Sequence, residues 1–191
     1  MLLDAAVIDV PEYIERFAVD KSDEADELDV EVYLKELALM HHRQRTTHTR
    51  LFFNDTGELI GYFSVLADLL KVGKGKRADR QWDLDSQTDI FPAIKIHYIG
   101  VDVRYRKQGY GALLLAEAIL LCKDVADKMG CNFITVEAKQ SAVGFFRKYG
   151  FDYCARDPYS ALVVKGNNTN LCLNIRDLAA VVEEPKLEET A

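Results

Sequence analysis

The sequence has few cysteines, and none of them is placed as metal ligands usually are. Its 191 residues include four cysteines, at 122, 131, 154 and 172, without a CxxC pair. Thiols this widely spaced are typical of reduced side chains and argue against a zinc site. We therefore expect no metal.

Long apolar runs are also absent. The longest, residues 112–121, is about ten residues long and contains Glu117, whereas a membrane-spanning helix needs about 18 or more. The N-terminus, Met-Leu-Leu-Asp, lacks the basic stretch of a signal peptide. These observations predict a cytoplasmic protein without membrane association.

An excess of positive charge is missing as well. Lys and Arg number 24 against 31 Asp and Glu, which gives a net charge of −7. Phosphate neutralisation requires clustered Lys and Arg, so nucleic acid is an unlikely partner and a small or cationic molecule is favoured. An acidic run at 23–31 is interpreted as a solvated helix start or a surface that attracts a cationic amine. Basic segments at 41–50 and 71–80, with Trp82 nearby, leave RNA recognition as a less favoured alternative.

Hydrophobic periodicity predicts a mixed α/β domain. Helical spacing covers residues 32–42 and 109–129, and Gly130 follows the second stretch as a helix stop. Residues 51–66 predict a hairpin that turns at 54–57, and the polar segment 71–87 predicts an exposed loop. The remaining predicted elements are strands at 92–103, 131–138, 151–154 and 171–175 and a short helix at 140–149.

This order predicts helices on the faces of a mixed sheet. One domain is expected over residues 1–178, followed by an acidic, flexible tail at 179–191.

Residues 99–115 predict a strand, a glycine-containing basic loop and then a long helix. Gly109 and Gly111 allow backbone N–H groups to converge at the helix N-terminus, where an anion such as a diphosphate is favoured. Arg104, Arg106 and Lys107 add positive charge, and a tight turn with two spacer glycines is the alternative. The loop lacks the Gly-Lys-Ser/Thr of a Walker A motif, and a leucine occupies the third glycine position of a dinucleotide fingerprint.

Two motifs resemble the GNAT family of N-acetyltransferases. Residues 106–111, Arg-Lys-Gln-Gly-Tyr-Gly, match the family's acyl-CoA pyrophosphate loop in its strand–loop–helix context. Residues 145–151, Phe-Phe-Arg-Lys-Tyr-Gly-Phe, match its later motif of an aromatic pair followed by Gly-Phe. The resemblance covers about residues 51–175. The layout of residues 32–66 is similar to the branch that contains the tRNA-acetylating toxins.

The resemblance implies an acyl-CoA-dependent N-acetyltransferase that moves an acetyl group from acetyl-CoA to a primary amine by direct attack. It implies a GNAT fold, with a mostly antiparallel mixed sheet and a splayed strand pair at 98–103 and 133–137. The acceptor would be a small-molecule or protein amine, and the protein a possible homodimer. The residues implied in acetyl-CoA binding are Ile99, Val101, Arg106, Lys107, Gln108, Gly109, Tyr110, Gly111 and Ala112.

The sequence departs from the family at two positions near the thioester. Phe146 stands where many members have a tyrosine acid, and Lys139 stands where an asparagine is common. Three interpretations stay open: an unassisted thiolate leaving group, with a free thiol pKa of about 8.5, an acid role for Tyr149 or Tyr153, or a non-catalytic acyl-CoA-binding module.

Glu137, near the end of a predicted strand, is the first candidate for the general base, and His97 is the second. A solvated carboxylate and a packed structural histidine are the respective alternatives. A toxin-type acetyltransferase acting on aminoacyl-tRNA is the main alternative function.

Overall fold

The computed structural model describes residues 2–4, 11–19, 28–84, 87–155 and 168–178. The helices are α1 (Pro11–Glu15), α2 (Leu28–Val32), a π-helix (Tyr33–Leu37), α3 (Ala38–Arg43), α4 (Lys74–Asp79), α5 (Tyr110–Met129) and α6 (Val143–Lys148). Short 3₁₀ helices cover Val103–Tyr105, Gln140–Ala142 and Ile175–Asp177. The strands are β1 (Leu2–Asp4), β2 (His48–Phe53), β3 (Leu59–Lys71), β4 (Ile90–Val101), β5 (Phe133–Lys139), β6 (Asp152–Tyr153) and β7 (Asn168–Asn174).

The chain divides into two compact units. The first unit comprises Met1–Asp68 and Ile94–Asp124. Its strands follow the order β1, β2, β3, β4, and both the β1–β2 and the β2–β3 pairs are antiparallel. Helical residues 28–43 supply one side of its apolar core, in which Phe17, Tyr33, Leu51 and Tyr62 are at most 2% exposed. Because Ile94–Asp124 belongs to the first unit, this unit also contains the end of β4 and the start of α5.

The second unit comprises Leu69–Ala93 and Val125–Ala191. Strand β7 pairs antiparallel with β5 on one side and with β6 on the other. The unit's core contains Val72, Trp82, Phe91 and Phe133, and the Trp82 ring meets the Phe133 ring edge-on with centroids 5.0 Å apart. This unit holds the motif at residues 145–151.

Several predicted elements are present. The mixed α/β fold class is confirmed, and the hairpin turns between β2 and β3 at residues 54–57. Helix α5 begins one residue after the predicted start and ends before Gly130, whose φ of 72° is the left-handed value that suits a glycine stop. The short strand β1 and helix α1 have no counterpart among the predicted elements. The acidic tail and residues 23–27 of the acidic run lie outside the described residues.

The prediction of an exposed loop at 71–87 is wrong. Helix α4 lies there, and Lys76 and Arg77 are each only 8% exposed. Lys76 Nζ lies 2.5 Å from Asp152 Oδ2, and Arg77 Nη2 lies 2.6 Å from Asp89 Oδ1. Because these cations already have carboxylate partners, they are poor contacts for RNA phosphates.

Trp82, the aromatic residue considered for base stacking, is 9% exposed, and its indole N–H donates to Asp177 Oδ2 at 3.0 Å. It is therefore a core side chain with a satisfied polar atom. Among the described residues, no helix is long and apolar enough to cross a membrane.

Candidate active site

The segment that connects β4 to α5 begins with a buried carboxylate, that of Asp102. Asp102 is fully buried and accepts hydrogen bonds from the Ala18 N–H (3.1 Å) and the Arg104 N–H (2.9 Å). The Arg104 side chain donates to the same carboxylate through Nε (2.8 Å) and Nη2 (3.2 Å). The Val103 N–H returns a hydrogen bond to the Ala18 carbonyl at 2.8 Å. Residues 102–104 are thereby held against residue 18.

The loop that follows has the backbone geometry of an anion site. Lys107 has φ of 59° and Gly109 has φ of 84°. Left-handed residues within a tight turn point successive N–H groups to a common side. Helix α5 then begins, and the N–H groups of Ala112 and Leu113 both donate to the Gly109 carbonyl. An α-helix leaves its first N–H groups without intrahelical acceptors, and in α5 these groups belong to the residues just before Ala112.

The positive charge at this loop is distributed unevenly. Arg104, one of three predicted cations, is bound to Asp102 and lies 3.6 Å from Glu58 Oε1. The hydrogen bond to Asp102 raises the pKa of Arg104. Lys107 and the backbone amides of the turn are therefore the groups we expect to meet phosphate charge, and all of residues 106–109 are exposed.

The tip of the β2–β3 hairpin contacts the same turn. The Tyr105 hydroxyl donates to Glu58 Oε2 at 2.6 Å, and the Asn54 amide donates to that oxygen at 3.1 Å. The hydrogen bond from Tyr105, followed by that from Asn54, lowers the pKa of Glu58, and the same carboxylate raises the pKa of Tyr105. The hairpin tip is thus attached to the 3₁₀ turn that precedes the loop.

Strand β4 makes close backbone contacts just before the loop. A Cβ on Gly61 would lie 2.4 Å from the Gly100 carbonyl oxygen and 2.8 Å from Leu114 Cδ1. A Cβ on Gly100 would lie 2.5 Å from Val30 Cγ1. Both positions require glycine, because real Cβ atoms do not approach other heavy atoms this closely.

An aromatic cluster packs against β4 at His97 and Tyr98, just before Gly100. The Tyr33 ring stacks on that of Tyr98 with centroids 4.1 Å apart, and the His97 ring meets it edge-on at 5.3 Å. Successive strand residues normally point to opposite faces, so β4 is irregular here. The Tyr62 hydroxyl donates to the Val30 carbonyl at 2.6 Å, and burial raises the pKa of Tyr62. Packed in this way, His97 resembles a structural histidine more than a general base.

The candidate catalytic residues of the second unit lie on β5 and after α6. Glu137 is exposed on β5, and Tyr149 is half-buried, with its ring edge-on to Phe145 at 5.2 Å. Phe146 is 3% exposed and packs edge-on against Phe151 at 5.6 Å. The usual acid position is thus occupied by a core side chain without a proton to give.

The predicted cofactor-binding residues all belong to the first unit. Ile99 and Val101 are half-buried at the end of β4, residues 106–109 form the exposed turn, and residues 110–112 open α5. Asp102 is not among the residues that the sequence predicts for this site; its only sequence signal is a carboxylate at the strand end just before the glycine loop.

Comparison with known families identifies the family of this chain. The model of the acetyltransferase (GNAT) family matches residues 12–151, which include the turn and both sequence motifs. The chain belongs to the GNAT acetyltransferase family. The predicted family is confirmed, and the protein is an N-acetyltransferase of the GNAT type.

Known GNAT relatives of this chain include toxins. A tRNA-acetylating toxin of Mycobacterium tuberculosis is 25% identical over 133 residues, which are 69% of this chain and 77% of the relative. A bacterial toxin of known structure has a TM-score of 0.76 at 17% identity, covering 96% of this chain and 97% of its own.

Two structures of AtaT contain bound molecules. AtaT complexed with acetyl-methionyl-tRNAfMet has a TM-score of 0.72 at 16% identity and covers 95% of this chain and 98% of its own. AtaTR bound with acetyl-CoA has a TM-score of 0.69 at 17% identity, with 95% and 97% coverage. These likenesses confirm the fold of a GNAT enzyme.

Proposed function

We propose that this GNAT enzyme transfers the acetyl group of acetyl-CoA to the α-amino group of an aminoacyl-tRNA. The observation that carries the cofactor assignment is the turn before α5, where Lys107 and Gly109 are left-handed and helix-start amides follow. A helix N-terminus with converging N–H groups stabilises diphosphate without many charged side chains. In support, the related AtaTR is known with acetyl-CoA bound.

The acceptor follows from the relatives and from one surface of the first unit. The curated relative is a tRNA-acetylating toxin, and AtaT is known with an acetylated aminoacyl-tRNA. These comparisons weaken the expectation, based on net charge, that nucleic acid is an unlikely partner. Arg43 and Arg45 are exposed and make no salt bridge with a described residue. Such cations suit RNA phosphates, unlike the ion-paired Lys76 and Arg77.

The reaction needs a base and a proton source. The amine nitrogen attacks the thioester carbonyl carbon, the C–N bond forms and the C–S bond breaks, and the nitrogen loses a proton. We assign the proton acceptance to Glu137 and the protonation of the departing sulfur to Tyr149. Phe146 is excluded from that role because its side chain carries no ionisable group.

Ligand-induced stabilisation tests the cofactor assignment. A ligand that binds only the native state stabilises it by RT ln(1 + [L]/Kd), about 2.7 kcal/mol at 100 times Kd. Acetyl-CoA should therefore raise the melting temperature of the wild type. Gly109→Asp should abolish the shift by placing negative charge beside the phosphates.

Gly57→Asp is the matched control. Gly57 also has a positive φ, 79°, and a Cβ at either glycine meets nothing within 4 Å. Both variants thus introduce the same charge and the same backbone strain, and only the variant at position 109 should lose the acetyl-CoA shift. No shift for the wild type at millimolar acetyl-CoA contradicts the proposal.

Charge reversal tests the acceptor. The double variant Arg43→Glu/Arg45→Glu should slow acetylation of aminoacyl-tRNA while leaving acetylation of an amino-acid methyl ester unchanged. Lys123→Glu/Lys128→Glu, an equal change at two exposed lysines of α5 outside both basic segments, controls for net charge. A wild type that acetylates the ester but no aminoacyl-tRNA would assign the enzyme to small amines.

A further inference from the structure

We infer that Asp102 is a positioning residue for acetyl-CoA, one that orders the phosphate-binding turn through its neighbours. The inference rests on the proposed use of the turn at residues 106–112. Asp102 itself is fully buried, so its role is to hold the chain around it.

The carboxylate joins two separate segments. One oxygen, Oδ2, accepts from the Ala18 N–H and from Arg104 Nη2, and the other, Oδ1, accepts from the Arg104 N–H and Nε. Hydrogen bonds to an ionised carboxylate are about twice as strong as neutral ones. Asp102 thus folds the Arg104 side chain back over its own turn and fixes the direction in which the chain enters the loop.

The same carboxylate reaches the helical layer of the first unit. Residue 18 is followed by Val19, whose N–H donates to Glu31 Oε2 at 3.3 Å. Glu31 lies on α2 and binds Lys35 Nζ at 2.6 Å. An ordered turn and an ordered α2 are therefore linked through a short chain of hydrogen bonds that begins at Asp102.

An amide in place of the carboxylate would break this arrangement. Four N–H donors now bind the carboxylate, two at each oxygen. Asparagine has one acceptor oxygen and one NH₂ donor, so its NH₂ group would face two of these donors without an acceptor. Asp102→Asn should therefore raise the Kd for CoA about tenfold, the loss expected from one charge-assisted hydrogen bond. The KM for acetyl-CoA should rise by a similar factor, with kcat changed much less.

Asp152→Asn is the matched control, because Asp152 is also an ion-paired carboxylate and lies in the second unit. It should lower stability while keeping the Kd for CoA within about twofold of the wild type. Hydrogen exchange of residues 103–112 should accelerate in Asp102→Asn and stay unchanged in Asp152→Asn. A purely structural role for Asp102 predicts lower stability with an unchanged Kd.

CoA binding is measured by calorimetry on the full chain. Wild-type affinity in folded Asp102→Asn overturns the inference, as does an equal loss in both variants. If Asp102→Asn does not fold, Arg104→Lys keeps the positive charge beside the turn but cannot form both guanidinium bonds to Asp102, and it should raise the Kd about threefold; an unchanged Kd there also overturns it. Failure of the wild type to bind CoA would instead refute the proposed function.

Discussion

The ring of Tyr33 lies parallel to the ring of Tyr98, with an angle of 17° between their planes. The Tyr33 hydroxyl lies 3.0 Å from both Thr47 Oγ1 and Ser64 Oγ, and Ser64 Oγ lies 2.8 Å from Thr49 Oγ1. This hydroxyl network fixes the Tyr33 ring beside β4. The side chain thus fills the core with its ring and satisfies buried polar groups with its oxygen.

Removing that hydroxyl should destabilise the fold. Tyr33→Phe keeps the stacked ring but deprives two buried hydroxyls of a partner, so the free energy of unfolding should fall by about 1–2 kcal/mol. Urea denaturation measures the change. The control is Tyr13→Phe, because the 39% exposed Tyr13 makes no hydrogen bond with a described residue. Equal effects of the two substitutions would contradict a role for the network.

The contact between α2 and β4 predicts the effect of a single methyl group. Gly100→Ala places a Cβ 2.5 Å from Val30 Cγ1 and 3.3 Å from Phe17 Cζ, so overpacking should lower stability by about 1–3 kcal/mol. Val30→Ala in the same chain should recover part of the loss, as a double-mutant cycle would show. Gly144→Ala should be neutral or stabilising, because its Cβ meets nothing within 4 Å in helix α6.

The ion pair of α4 predicts a dependence of stability on pH. Burial would raise the pKa of Asp152, but the hydrogen bond and charge of Lys76, with smaller contributions from the Tyr153 N–H and the charge of Arg80, together lower the pKa from its ordinary value of 3.8. Because the folded-state pKa is the lower one, the stabilisation is complete above pH 3.8 and is lost as the pH falls through the folded-state pKa.

Asp152→Asn should therefore unfold more easily than the wild type at pH 7, by about 1–2 kcal/mol. The difference should shrink below pH 3.8. Chemical denaturation at several pH values measures it, and a constant difference would exclude the titration of Asp152 as its cause. Asp55→Asn, at an exposed turn residue, should change stability little at any pH.

The proposed base predicts a kinetic signature. Glu137→Gln should lower kcat at least 100-fold, the usual contribution of general-base catalysis being about 10²–10⁴, while acetyl-CoA still protects against thermal unfolding. Glu117→Gln on α5 should retain full activity, and an active Glu137→Gln enzyme would exclude Glu137 as the general base.

The sequence predicts this fold best where the decisive information is local. The period of α5 and the glycine after it locate that helix within one residue, and the glycine loop is recognised from six consecutive residues. Each of these features depends on the preferences of residues close together in the chain.

The missed features depend on partners far away in the chain. Lys76 looks solvated until Asp152, 76 positions later, is brought beside it, and Asp102 gains its role from Ala18, 84 positions earlier. Charged residues are rarely buried without a partner, so sequence alone favours exposure for Lys76. The partner is known only from the tertiary fold.

The π-turn at Tyr33–Leu37 makes this helical segment tolerant of a one-residue deletion. A π-turn holds one residue more than an α-turn, so deleting exposed Lys35 or Glu36 would close it to an α-turn and leave residues 28–32 in phase with residues 38–43. Val30 would then stay against Gly100. The same deletion inside a regular helix would turn one flank by about 100° and change which side chains face the core.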